Sequence, residues 1–173
     1  MPPDPGKADS PLGPLAAGLL DEATVDTLIE IATAQHACFR AAMPNLIARA
    51  SAAEPAHGPQ PLTELLREIA ASQEEHMLRE ELRVFPLMRQ GRSERLWAAI
   101  TLMREEHNDN VEFLMRLAQL TGGYRGAEGD SAEQRALCAD VGRFADDFIA
   151  HIYVEESVLF PRFDPSSSRP HRS

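Results

Sequence analysis

His76 and Glu80 stand one helical turn apart and are followed by Phe85-Pro86; the same arrangement returns 75 residues later as His151, Glu155 and Phe160-Pro161. An imidazole and a carboxylate four positions apart on a helix share one face, about 6 Å apart along its axis. Each copy therefore aims two metal-capable side chains the same way. Two such pairs turned inward, with further histidines beside them, would build a two-metal site inside a bundle of helices.

The elements that must position these residues are legible from periodicity and punctuation. A first helix is expected from about Thr24 to Ala52, with a kink at Pro44. A second follows the loop between Pro55 and Pro61 and ends near Gly91; a third runs from near Ser93 to Thr121-Gly122-Gly123. The fourth opens on Ser131-Ala-Glu-Gln134, a capping-box pattern, and stops near Pro161. No segment alternates with period two, so the expected fold is all-α, an antiparallel up-down four-helix bundle spanning residues 23–163. Residues 1–22 read as a flexible leader and residues 164–173 as a disordered tail.

One histidine interrupts the apolar seam of each helix. The seams read Ala32, His36, Phe39; Ile69, Gln73, His76, Glu80, Val84; Met103, His107, Leu114; and Phe148, His151, Glu155, Val158. Each histidine lies near the middle of its helix, so in an antiparallel bundle all four fall at similar heights. A lone histidine on an apolar face is ordinarily a hydrogen-bonded core residue. Four of them beside two inward glutamates are different, because a buried carboxylate is too costly to keep ionised without compensating charge. Cations supply that charge.

Imidazole and carboxylate without thiolate suit iron, manganese or zinc and disfavour magnesium and calcium. The residues three before the histidines are Thr33, Gln73, Arg104 and Phe148, so the Glu-x-x-His pairs of ferritin-like sites are missing. Glu81 and Glu156 follow their histidines at five positions, a step that turns about 140° away on a regular helix against about 40° for a step of four. Glu80 and Glu155 are therefore taken as the inward pair, with Glu81 and Glu156 toward solvent or a neighbouring helix. Four imidazoles and two bridging carboxylates supply about eight bonds where two six-coordinate irons want about twelve. An oxide or hydroxide bridge between the irons would use two more, leaving roughly one labile position on each for a small ligand such as nitric oxide, dioxygen or peroxide.

Composition narrows the alternatives. A net charge of −10 and a pI near 5.0 argue against nucleic-acid or anionic-membrane binding. No apolar run reaches the roughly 20 residues of a membrane span, and the N-terminus has no secretory pattern, so a cytoplasmic location is expected. Cys38 and Cys138 are isolated. They read as buried structural thiols and cannot by themselves ligate an iron–sulfur cluster.

On Glu75-His76-Met77 with Glu80-Glu81 and Phe85-Pro86, Glu106-His107, and His151-Ile152 with Glu155-Glu156 and Leu159-Phe160-Pro161-Arg162, the chain resembles the hemerythrin-like domain of the RIC (repair of iron centres) di-iron proteins. The resemblance implies a non-haem di-iron centre with His36, His76, His107 and His151 as terminal ligands and Glu80 and Glu155 as bridges. It also draws attention to His57 in His57-Gly58-Pro59, more readily an outer partner of the site than a ligand. Val111 stands where oxygen-carrying hemerythrins have a second histidine of an H-x3-H pair, which implies a more labile centre. In the RIC proteins such centres respond to nitrosative and oxidative stress, react with nitric oxide and are thought to supply iron to damaged iron–sulfur proteins. Residues 1–24 do not resemble the N-terminal cysteine-containing domain of full-length members, so the expectation is a di-iron domain without it, as a monomer or weak dimer. An oxidoreductase that consumes nitric oxide or peroxide, and a sensor module, are the competing functions.

Overall fold

The computed structural model describes residues 14–54 and 59–164, with side chains from residue 18 onward. Residues 1–13, 55–58 and 165–173, and with them His57 and the expected tail, lie outside the described residues. All regular structure among the described residues is helical.

A short helix α1 (Pro14–Glu22) leads into α2 (Val25–Ala53), whose first turn is closed by Thr24 Oγ1 accepting from Thr27 N–H. The leader reading of residues 1–22 is corrected over this stretch, and the reason lies at the other end of the chain. Arg162 donates to the carbonyls of Leu20, Asp21 and Ala23, satisfying acceptors that a helix C-terminus leaves open. Leu20 also packs on the core. α2 runs on through Pro44 without interruption.

α3 (Pro61–Arg79) starts on a proline, whose missing N–H costs nothing at that position. Its first turn is capped from across the preceding loop: the Glu54 carboxylate accepts from Leu62 N–H, Thr63 N–H and Thr63 Oγ1 at 2.8, 3.0 and 2.6 Å. α3 then passes through a π-helical turn, Glu80–Val84, into α4 (Phe85–Gln90). α5 (Glu94–Leu120) is capped by Ser93, and α6 (Ala132–Tyr153) by the Ser131/Gln134 capping box expected from sequence. α6 too ends in a π-helical turn, Val154–Leu159, followed by a 3₁₀ turn, Phe160–Phe163.

α2 packs against α3 and α6, and α5 packs against the same two. This is a square of four long helices. Their apolar seams form two separate clusters, one around Leu28, Phe85, Met103 and Phe160, the other around Phe39, Leu66, Leu117 and Phe148. Between the clusters runs a buried polar layer of His36, His76, Glu80, His107, His151 and Glu155, each at most 4% exposed. Cys138 is buried as expected, whereas Cys38 faces solvent. No described helix is long and apolar enough to cross a membrane.

Candidate metal centre

The two π-helical turns trace to the Phe-Pro pairs. A proline has no N–H for the carbonyl four residues back, and its ring crowds that carbonyl. The chain relieves the conflict by opening one turn. Phe85 N–H bonds to Glu80 O and Phe160 N–H to Glu155 O, both across five residues. A wider turn rotates the residue after each inward glutamate back toward the bundle, as π-turns commonly do at functional sites. Glu81 and Glu156 therefore reach a neighbouring helix, the second of the two orientations left open by the sequence. The Phe of each pair has a further task. Phe85 stacks on the His36 ring with centroids 6.0 Å apart, and Phe160 stacks on His107 at 5.9 Å.

All six residues singled out from the sequence meet in one layer. Their donor atoms form two sets, His36, His151, Glu80 and Glu155, and His76, His107, Glu80 and Glu155; within each set all donors lie within 4.8 Å of one another. Both carboxylates belong to both sets. Glu80 Oε2 is 3.2 Å from His36 Nε2 and Oε1 is 3.4 Å from His76 Nε2. Glu155 Oε2 is 3.3 Å from His107 Nε2 and 3.4 Å from His151 Nε2. None of these Glu80 and Glu155 oxygens has a well-aligned hydrogen bond, nor do His36 Nε2 and His151 Nε2. Buried polar atoms are otherwise almost always satisfied. Two donors each about 2.1 Å from one ion stand about 3.0 Å apart at a right angle and about 3.4 Å apart at the tetrahedral angle, a range that contains the separations of 3.2–3.4 Å observed. His76 Nε2 and His107 Nε2 approach to 3.1 Å, and since both rings use Nδ1 to donate elsewhere, two neutral rings would face each other with lone pairs unless a proton or a metal ion stood between them. A cation between them removes that repulsion. The donor set fits a pair of metal ions.

Behind the six residues stands a second tier that the sequence reading did not identify. His36 Nδ1 donates to Glu81 at 2.8 Å, His76 Nδ1 to Glu106 at 2.7 Å, His107 Nδ1 to Glu156 at 2.7 Å, and His151 Nδ1 to Gln35 Oε1 at 3.2 Å. Each of the three glutamates is paired with an arginine: Arg40 with Glu81, Arg79 with Glu106, Arg104 with Glu156. These bonds fix every ring with Nδ1 outward and Nε2 inward. The repeated Glu-Glu before Phe-Pro was the signal that could have exposed Glu81 and Glu156. Glu106 and Gln35 carry no such mark beyond standing immediately before His107 and His36.

Titration behaviour reports the same demand for positive charge. Burial pulls the His107 imidazole down, but Glu155 and Glu156 outweigh it and push the group up to about 10. His36 and His76 are likewise raised against burial, chiefly by Glu80. Burial alone would raise Glu80, yet contact with His36 and His76 holds it down at about 2. His151 is the exception: burial lowers it to about 4, with Glu155 offsetting only part and the other three histidines adding to the fall. In metal-free protein, protons occupy the role that cations would otherwise take.

Comparison with known proteins agrees with this geometry. The sequence pattern of the Hemerythrin HHE cation binding domain matches residues 27–163. The chain is 30% identical to the iron–sulfur cluster repair protein YtfE of Dickeya chrysanthemi (strain Ech1591) over 142 residues, 79% of this chain and 64% of that protein. It is 30% identical to the iron–sulfur cluster repair protein DnrN of Neisseria gonorrhoeae over 143 residues, 81% of this chain and 89% of that one. With YtfE of Escherichia coli O157:H7 it shares 30% identity over 132 residues, covering 73% of this chain and 60% of the relative. The chain thus spans less than two thirds of the YtfE relatives named and most of DnrN.

Proposed function

Because the chain belongs to the family of hemerythrin HHE cation-binding domains, we propose that it is a non-haem di-iron protein that supplies iron for repair of iron–sulfur clusters and binds nitric oxide or dioxygen. In this reading His36 and His151 would hold one ion and His76 and His107 the other, with Glu80 and Glu155 within reach of both. One observation carries it: two sets of four buried donors share both carboxylates, and the carboxylate oxygens have no other partner. Nitrogen and oxygen donors without a thiolate favour iron over softer ions, and the names of the relatives support delivery to iron–sulfur proteins.

When bound, iron would contribute redox chemistry and open coordination positions. The chain does the rest. Glu81, Glu106, Glu156 and Gln35 hold the Nδ1 protons and so keep every Nε2 basic and directed inward. Phe85, Phe160 and Phe39 cover the rings of His36, His107 and His151 and exclude water. Six side chains buried to this degree would suit a diatomic ligand and not a large substrate.

The test is metal analysis of protein prepared without added metal, followed by anaerobic exposure to a ferrous chelator and to nitric oxide. Two irons per chain, yielded to the chelator within minutes, and an optical change when the reduced protein meets nitric oxide are expected. Protein that takes up no iron under reducing conditions would refute the di-iron reading; iron that resists the chelator would refute donation.

A further inference from the structure

The four imidazoles are not held alike. Three of them, His36, His76 and His107, turn Nδ1 to carboxylates at 2.7–2.8 Å, and each carboxylate is tied to an arginine. His151 turns Nδ1 to an amide oxygen, Gln35 Oε1, at 3.2 Å. The difference sits at corresponding places. Gln35 precedes His36 on α2 and reaches across to His151 on α6; Glu106 precedes His107 on α5 and reaches across to His76 on α3. Where one half of the bundle has an acid, the other has its amide.

A carboxylate behind an imidazole draws on the Nδ1 proton and pushes electron density toward Nε2, making the ring a stronger donor. A neutral amide does this far less, because its oxygen carries no net charge. The set containing His76 and His107 has two carboxylate-backed rings; the set containing His36 and His151 has one. Both sets share Glu80 and Glu155, so the carboxylate contribution does not compensate for the difference.

We propose that the two cation positions are unequal, that the one bounded by His36 and His151 is the weaker and releases its ion first, and that Gln35 is the positioning residue responsible. The inference rests on the two-ion reading above. It gives donation a form: one ion leaves readily and the other remains, so the chain hands over a single iron per cycle and keeps half its centre assembled for reloading.

The experiment loads the full chain with two ferrous ions anaerobically and follows release to bipyridyl by absorbance. Wild-type protein is expected to release one equivalent per chain in a fast phase and the second at least about tenfold more slowly, the size of effect that outer partners of ligating histidines exert. Gln35→Glu should slow the fast phase about tenfold or more and leave the slow phase alone. Glu106→Gln removes a charge instead of adding one, so it tests the same rule from the other side: it should hasten the slow phase and spare the fast one. Release of both ions in one phase by wild type would overturn the proposal, and so would a Gln35→Glu variant, folded by circular dichroism, with an unchanged fast phase. Should Gln35→Glu fail to fold, a slow phase unmoved in Glu106→Gln overturns it equally. Failure to load two ions at all would strike the di-iron reading instead, so the two failures are distinguishable.

Discussion

Replacing Glu80 by glutamine keeps the shape of the side chain and removes its charge. In metal-free protein, Glu80 is fully buried and held at about 2 against an ordinary 4.5 by His36 and His76. By linkage that difference corresponds to about 3 kcal/mol of stabilisation at neutral pH. For a domain of this size about 1 kcal/mol moves the melting temperature by about 2–4 °C, so Glu80→Gln should lower the melt of metal-free protein by about 6–12 °C at pH 7. The sign of the pH dependence follows. Glu80 has a depressed folded value, so its contribution is complete above pH 4.5 and is lost as pH falls through about 2. The gap between wild type and variant should therefore close in acid. It should also narrow at high pH, where His36 and His76, both raised by Glu80, give up their protons. Thermal melts by circular dichroism in excess chelator measure all of this. With iron, the variant loses an anionic donor from both sets at once, and metal content should fall below one ion per chain. An unchanged metal-free melt at pH 7 would show that Glu80 is not an ionised partner of the two histidines, and the charge argument for the site would fail with it.

His151 should oppose folding of metal-free protein in mild acid, before carboxylates protonate. His151 is held neutral down to about 4 against an ordinary 6.5, so its contribution is present above pH 6.5 and lost as pH falls through about 4. Because His36, His76 and His107 are shifted the other way, the contribution is read as a difference: relative to His151→Gln, wild type should lose about 2–3 kcal/mol in urea unfolding between pH 7 and pH 4.5. Pro86→Ala restores the backbone donor that the π-turn accommodates. The turn should tighten, Glu81 should swing off His36, and iron affinity should drop at least about tenfold by titration with little change in helix content. Glu54→Ala deletes three hydrogen bonds to the start of α3, one from the buried Thr63 hydroxyl. It should cost about 1–3 kcal/mol by chemical denaturation while iron content stays at the wild-type value.

The helices and the inward residues were legible because burial leaves a regular trace. A 3.6-residue period brought His36, His76, His107 and His151 to the seams, and the capping box at Ser131 marked the start of α6 where it is observed. What the sequence hid was conformation that departs from that period. The 140° separation computed for Glu81 and Glu156 assumes a regular helix, and the π-turns at Glu80–Val84 and Val154–Leu159 break the assumption just where it matters. Gln35 and Glu106 were invisible for another reason: their partners lie on other helices, 116 and 30 positions away along the chain. The helix α1 was missed because what holds it, Arg162, lies 142 positions from Leu20 along the chain.

The split of the apolar interior into two clusters bears on what happens when the ions depart. In a zinc finger the metal is the core, and removing it unfolds the chain. Here two greasy halves, anchored by Phe85 and Phe160 on one side and by Phe39 and Phe148 on the other, are each complete without the ionic waist between them. On the di-iron reading proposed above, the shell would keep its shape when the ions leave and be ready to take them up again.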